Sequence, residues 1–291
     1  MKPIRIPDTF NYIGVFLTLA CNFNCSYCIN RFGGVGRVAG QLTGKEWATA
    51  INRLVSRDDL PVTLQGGEPG LHPDFFYILN KIKPELRIDL LTNLTFDLTA
   101  FMRTVRPERF ARPAPYASIR VSYHPEVMEL APLVEKVLVL QRAGYSVGIW
   151  GILHPAWEAA MREAQAYAAA RGVDFRFKEF LGTYRGWLHG TFKYPGACDC
   201  QATRQVRCRT TEVLVGPAGD VYRCHGDLYA GRPGLGNLGD SRFVVEDVPR
   251  PCSFFGHCNP CDVKVKTNRY QIFGHTAVDI CFDAENQKMV G

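Results

Sequence analysis

The stretch Val15-Phe16-Leu17-Thr18-Leu19-Ala20-Cys21-Asn22-Phe23-Asn24-Cys25-Ser26-Tyr27-Cys28 decides how the rest of the chain is read. Its first five residues are rich in β-branched and aromatic side chains and short enough for a buried strand. Three thiols follow within eight residues, at the carboxyl end of that strand, where parallel α/β folds bind ligands. A loop this short wraps a cubane iron–sulfur cluster so that three irons take thiolates. The fourth iron is then left without a protein ligand, and an amino acid can chelate it through amine and carboxylate. Structural zinc asks instead for four closed ligands, commonly in C-x2-C pairs. Three structural cysteines buried so close together would be unusual, so spacing and placement favour iron–sulfur ligation.

Strand and helix signals alternate outward from this stretch. Thr43 and Glu46 form a capping box, and Trp47, Ala50, Ile51, Leu54 and Val55 then share one helical face. Val62-Thr63-Leu64 reads as the second strand, and Phe75, Ile78, Leu79 and Ile82 mark the next helix. Ile88 to Thr92 and Ile119 to Ser122 are further strands, with a weaker helical signal over Asp97 to Val105 between them. Leu133, Val134, Val137, Leu138 and Leu140 give a helix stopped by Gly144, and Val147 to Ile152 is the fifth strand. Pro155 opens an Ala-rich helix closed by Gly172, and Phe175 to Phe177 is the sixth strand. Six such alternations argue for a parallel sheet covered by helices. A doubly wound sheet and a partial barrel both fit the pattern.

Length and composition bound the answer. At about 150 residues per domain, 291 residues allow two domains or one barrel with an appendix. A hydrophobic fraction of 46% supports a substantial core and excludes wholesale disorder. No run of eighteen apolar residues suggests a membrane span, and Met1 to Pro7 lacks the apolar stretch of a signal peptide. The net charge of +6 would help recruit an anionic substrate but falls short of the footprint of a dedicated nucleic-acid binder. Eleven cysteines in a chain expected in the cytoplasm are the anomaly, because disulfides there are reduced and an odd number cannot all pair internally. Three lie near the start and eight beyond residue 197.

After Leu181 the texture changes. Gly182 to Arg209 carries Arg185, Lys193, Arg204, Arg207 and Arg209 against Asp199 alone, and reads as a mostly looped, substrate-facing linker. Glu212 to Val215 and Val221 to Arg223, joined through Gly216-Pro217-Ala218-Gly219-Asp220, form a hairpin. Cys208 and Cys224 bracket it, and Cys258-Asn259-Pro260-Cys261 follows. Together Cys208, Cys224, Cys258 and Cys261 make a four-thiolate set from a hairpin and a knuckle. On spacing alone it suits tetrahedral zinc and a 4Fe–4S cluster equally.

C-x3-C-x2-C with Tyr27 before the last cysteine, followed by Gly66-Gly67-Glu68-Pro69 at the end of the second strand, resembles the radical S-adenosylmethionine enzymes over residues 12 to 181. Without the family, Gly-Gly-Glu-Pro is merely a tight turn after a strand. The resemblance implies a partial (β/α)6 barrel with a 4Fe–4S cluster held by Cys21, Cys25 and Cys28. It implies that S-adenosylmethionine chelates the open iron and is cleaved reductively to a 5′-deoxyadenosyl radical, with the electron coming from a flavodoxin- or ferredoxin-type donor. In the family Tyr27 lies near the adenine, and Gly66, Gly67 and Glu68 contact the amino group of the methionine moiety. Asn93 ends the third strand and Ser122 and His124 the fourth, so all three face the same mouth. Family strand ends there touch the cofactor's ribose or carboxylate, which points first to Ser122; His124, Asn93 and His154 serve equally as turn or capping residues. Gly148 to Ile152 only partly resembles the family's adenine-contacting motif.

C-x10-G-x4-C, from Cys208 through Gly219 to Cys224, is similar to the opening of the SPASM/twitch extension. The chain departs from the two-cluster pattern, having Cys252-x5-Cys258-x2-Cys261 instead, which implies the shorter twitch type with one auxiliary 4Fe–4S cluster. The expected layout is a barrel over 1–181, a linker over 182–207 and a cysteine-rich twitch-like domain of hairpin plus loop and helix over 208–291. Of the remaining cysteines, Cys252 and Cys281 lead as hydrogen-atom donors to a substrate radical, with Cys198 and Cys200 as further candidates; Cys252 is also an alternative cluster ligand, a second cluster of these four fits by count without a motif to support it, and burial is the plainer fate of Cys281.

The leading functional expectation is an enzyme that abstracts hydrogen from an unactivated carbon inside a water-shielded barrel. An auxiliary cluster accepting an electron gives oxidation or a crosslink, and a thiol donating hydrogen gives epimerisation. The strand–helix pattern begins by residue 15, which leaves no room for a leader-recognition domain and favours a small polar substrate, sugar-like, aminocyclitol-like or phosphorylated. A ribosomally made peptide is the alternative. A reading of another class is a zinc-stabilised nucleic-acid module with Tyr184, Trp187, Phe192 and Tyr194 stacking on bases; packing between domains is the more ordinary account of those aromatics.

Overall fold

The computed structural model describes residues 2–30, 40–266 and 274–282. Six strands, β1 (Tyr12–Thr18), β2 (Val62–Gly66), β3 (Ile88–Thr92), β4 (Ile119–Tyr123), β5 (Val147–Leu153) and β6 (Phe175–Glu179), lie parallel in that order. The crossovers carry helices α1 (Gly44–Ile51), α2 (Phe75–Lys81), α3 (Leu98–Thr104), α4 (Leu130–Arg142) and α5 (Glu158–Ala169). The capping box of Thr43 and Glu46 opens α1 as its sequence predicts. Asp97 caps the weakly signalled α3 by accepting from Ala100 N. Gly144, at φ 89°, takes the left-handed turn that ends α4. The Ala-rich helix starts at Glu158 rather than at Pro155.

Period-two alternation divides the side chains of each barrel strand. Ile13, Val15 and Leu17 of β1 join Val62, Leu64, Ile88, Leu90, Ile119, Val121, Val147, Ile149 and Phe175 in the core beneath the helices. The intervening residues face the other way. Tyr12, Phe16, Gln65, Leu91, Arg120, Ser122, Ile152 and Lys178 all border a single cavity. Deep on that inner side Asp89 of β3 takes a bidentate pair from Arg112, at 2.8 and 2.9 Å, and a third bond from Arg120 at 3.2 Å. All three charges are buried, which requires such mutual satisfaction.

The carboxyl-terminal part is attached by backbone pairing. The segment expected to be mostly loop contains a hairpin of β7 (Gly182–Tyr184) and β8 (Trp187–His189), and then β9 (Arg204–Thr210). The expected second hairpin is β10 (Glu212–Val215) with β11 (Asp220–Tyr222), followed by helix α6 (His225–Tyr229) and β12 (Gly236–Asn237). β10 runs parallel to β1, with Glu212 opposite Tyr12 and Val215 opposite Val15, so the barrel sheet continues through the hairpin as nine strands. A separate antiparallel sheet sets β9 between β13 (Arg250–Phe255) and β14 (Val278–Cys281). The short helix α7 (Pro260–Val263) lies between those two strands in the chain.

Candidate active site

The cavity at the carboxyl ends of β1–β6 holds ≈ 330 Å³, within the range of small-molecule sites. Cys21, Cys25 and Cys28 open on it from the loop after β1, each half-buried. Cys28 N donates to Cys25 O at 3.1 Å and tightens the loop, while Phe23 N donates to Cys21 Sγ at 3.4 Å. Burial pushes the Cys25 thiol up to about 12, and Cys28 and Glu126 add to the rise. Thiols so placed stay protonated until a metal centre binds and releases the protons to solvent, as ligation requires.

The turn after β2 lies against this loop, backbone on backbone. Gly67 N donates to Thr18 O at 2.9 Å and Glu68 N to Ala20 O at 2.8 Å. A Cβ on Gly67 would stand 2.5 Å from the Ala20 carbonyl carbon and 2.7 Å from Leu19 O, and one on Gly66 would collide with Thr18 O. Only glycine fits there. The Glu68 carboxylate is buried and accepts from Thr92 Oγ1 at 2.7 Å, Asn93 N at 2.6 Å and Gly70 N at 2.9 Å. Its side chain therefore braces the ends of β2 and β3 against each other.

Asn93 and Ser122 both line the cavity, and Asn93 Nδ2 donates to Asn22 Oδ1 at 2.9 Å inside the thiol loop. Tyr27 lines it too, its hydroxyl 2.9 Å from His124 Nδ1. Burial raises the Tyr27 phenol and lowers the His124 ring to about 4, so the pair is neutral. His154 is not on the cavity; its ring packs 4.4 Å from that of Phe180 and 5.6 Å from that of Tyr27. Ile152 alone of the fifth-strand motif reaches the cavity.

Sequence reasoning missed several cavity residues. Gln65, Arg120 and Lys178 belong to the inward rows of β2, β4 and β6, and the alternation of those strands was the signal that marks them. Gln65 Nε2 is buried without a hydrogen-bond partner among the described residues and sits over Gly14, where a Cβ would strike it. Lys264, Lys266 and Cys261 enter from the chain at and beyond α7. The basic segment expected to face substrate does not do so. Arg209 pairs with Asp247 and Asp279, Lys193 with Asp279, Arg204 lies over the Phe255 ring and Arg207 holds Pro249 O. None of these lines the cavity.

A second, smaller pocket gathers Cys208 of β9, Cys224 at the start of α6, Cys252 of β13 and Cys258 before α7. Cys208 and Cys252 share a side-chain hydrogen bond, and Cys224 Sγ accepts from Asp227 N at 3.3 Å. Cys198 donates to Cys258 O at 3.3 Å beside them. The fourth thiol of this set is Cys252, whereas Cys261 opens on the main cavity with Cys21, Cys25 and Cys28. Cys252, expected as a hydrogen donor, thus faces the small pocket, and Cys281 is exposed on β14, opposite Arg207; neither lines the main cavity. Cys200 is exposed as well. The aromatics considered for base stacking are largely used in packing. Tyr184 packs its ring 4.9 Å from His154 and Tyr194 Oη accepts from Ile280 N at 3.0 Å, while Trp187 is exposed. No helix among the described residues is long and apolar enough to cross a membrane.

Comparison with known proteins agrees with this geometry. Residues 15–146 match the radical SAM superfamily. Mycofactocin maturase MftC of Mycobacterium tuberculosis is 23% identical over 312 residues, spanning 84% of this chain and 75% of that protein. GTP 3′,8-cyclase of Vibrio cholerae is 32% identical over 80 residues, 27% of this chain and 24% of that one. Among solved structures, anSMEcpe with bound AdoMet and Kp18Cys peptide superposes with a TM-score of 0.54 at 15% identity, covering 79% of this chain and 78% of that one; at that identity the likeness is one of fold. The domain match, a cavity lined by the C-x3-C-x2-C thiols and the Gly-Gly-Glu-Pro turn packed against them agree, and residues 15–146 of the chain carry a radical SAM domain.

Proposed function

We propose that this radical SAM enzyme modifies a peptide, forming a crosslink, an oxidised residue or an epimer. The observation that carries the reading is the convergence of Cys21, Cys25 and Cys28 on one cavity with the Gly66-Gly67-Glu68 turn. The relative matched over most of the chain is named a maturase, and a neighbour in fold is described with a bound peptide. These names support the peptide alternative over the small polar substrate expected from the sequence.

The residues present fit the cofactors that the family implies. Cys21, Cys25 and Cys28 would hold a 4Fe–4S cluster with S-adenosylmethionine beside it. Bound together, these supply hydrogen abstraction from an unactivated carbon. Gly66 and Gly67 leave their backbone bare for close approach, and Glu68 holds the turn in place through Thr92 and Asn93. Tyr27, Phe16 and Tyr229 give the cavity its aromatic walls, which exclude water from reactive carbon. We assign a twitch-type auxiliary 4Fe–4S cluster to Cys208, Cys224, Cys252 and Cys258, the four thiols of the small pocket. Among the described residues no three His, Cys, Asp or Glu side chains are placed to share one metal ion. A cubane seats each thiolate on a different iron, and so takes a wider set. A flavodoxin- or ferredoxin-type partner would supply the electron.

The test is Cys25→Ala in anaerobically reconstituted protein. The variant loses about four irons, binds no S-adenosylmethionine and forms no 5′-deoxyadenosine with a chemical reductant. Wild-type iron content together with 5′-deoxyadenosine at the wild-type rate would overturn the assignment of this loop.

A further inference from the structure

The main cavity is closed on one side by the chain that follows α7. Val265 N donates to Thr191 O at 2.8 Å, and Lys193 N donates to Val263 O at 3.0 Å. Lys264 Nζ lies 4.0 Å from Glu179 Oε2 at the end of β6, and Lys266 Nζ 3.5 Å from Glu212 Oε1 at the start of β10. This segment therefore reaches from β6, the last barrel strand, to β10, the strand beside β1. It brings two ammonium groups to a wall that already holds Lys178.

Each carboxylate of that wall has a cation of its own. Glu179 faces Lys264, Glu212 faces Lys266, and Asp89 below is taken by Arg112 and Arg120. Glu68, on the side of β2, is committed to Thr92, Asn93 and Gly70. Lys178 is thus a cavity ammonium with no carboxylate partner among the described residues. Burial first, and then the charges of Arg120, Lys264 and Lys266, pull it down to about 7, with the Cys261 thiol alone acting the other way. A cation left without a carboxylate in a partly buried cavity wall is stabilised by an anion from outside the protein.

We propose that Lys178 and Lys264 form a subsite for an anionic group, carboxylate or phosphate, of the substrate. The inference rests on reading the cavity as the active site of a radical SAM enzyme. It assigns the anion to the substrate because the cysteine loop and the glycine turn belong to β1 and β2, whereas Lys178 belongs to β6, at the far end of the parallel run. A single charge-assisted anchor at this wall fixes which part of a flexible substrate is presented to the cysteine side.

Calorimetric titration of the reconstituted holoenzyme, saturated with S-adenosylmethionine, tests this with acetate and inorganic phosphate as probes at ionic strength held constant by chloride. Wild-type protein binds at least one probe saturably. Lys178→Met weakens that binding at least tenfold, Lys178→Arg restores most of it, and Lys264→Met weakens it to a smaller extent. Affinity for S-adenosylmethionine stays within about twofold of wild type in all three. Absence of saturable probe binding to wild type, or equal binding to Lys178→Met, overturns the subsite. A tenfold loss of S-adenosylmethionine affinity in Lys178→Met also overturns it, because Lys178 then serves the cofactor's carboxylate. Wild-type protein that takes up neither iron nor S-adenosylmethionine would instead refute the enzyme reading itself, a separate result.

Discussion

Replacing Gly67 by Ala puts one methyl group where the end of β2 meets the cysteine loop. The added carbon would stand 2.5 Å from the Ala20 carbonyl carbon and 2.7 Å from Leu19 O. A carbon–oxygen contact settles at roughly 3.3 Å or more, so the Leu19 carbonyl must retreat by about 0.6 Å, and Ala20 by more. These obstacles are backbone, with no flexible side-chain end to swing away. The cost belongs at the upper end of overpacking, about 3 kcal/mol, and the displaced residue adjoins Cys21. Urea unfolding of the metal-free protein should report that loss, and anaerobic reconstitution should show iron uptake at the first site impaired together with S-adenosylmethionine binding. Gly172→Ala is the control. Its Cβ meets nothing within 4 Å, but its φ of 76° costs about 1 kcal/mol, and S-adenosylmethionine binding should be unchanged. A Gly67→Ala protein with wild-type stability and wild-type cofactor affinity would refute the claim that this contact sets the loop.

Three further outcomes are expected. Cys258→Ala should lower iron from about eight to about four per chain, whereas Cys261→Ala should leave it near eight; the reverse would return Cys261 to the auxiliary set. Asp89→Ala strands the buried guanidiniums of Arg112 and Arg120, and should cost about 3–5 kcal/mol in equilibrium unfolding; a loss below 1 kcal/mol would show that the charges find other partners. His72 is held neutral by burial, with Nε2 2.9 Å from Leu42 O and Nδ1 accepting from Asp74 N at 3.0 Å. Its folded pKa lies below the unfolded value of about 6.5, so the unfolded chain binds more protons in that interval and stability falls as pH drops below 6.5. His72→Gln should flatten that part of the pH–stability curve of metal-free protein.

The barrel was legible because its signals are local. Every parallel strand carries core residues at alternate positions, and Thr43, Gly144 and Gly172 punctuate the helices with their own chemistry. The thiol triplet and the glycine turn were legible for the same reason, since each is set by neighbours in sequence. What escaped depends on distant pairing. β13 contains Pro251, which argues against a strand, yet it is the edge of its sheet, where a missing N–H is tolerated. The parting of the knuckle's two thiols also lay beyond its spacing. Asn259 caps α7 by accepting from Cys261 N, so Cys258 lies before the helix and Cys261 within it, and the two thiols serve different cavities. Lys178 was within reach of the sequence, because Phe175 and Phe177 point one way along β6 and Arg176 and Lys178 the other.

The parallel pairing of β10 with β1 ties residues 212–215 to the first strand of the barrel. Both faces of β1 are buried, and its second neighbour arrives about two hundred residues later in synthesis. A nascent chain that has completed only the six barrel strands therefore carries an unpaired, largely apolar border, the kind of surface on which polypeptides stick to one another. Closing so long a loop is slow. The cysteine loop is rooted in that same strand, which gains its second neighbour only once β10 has been made.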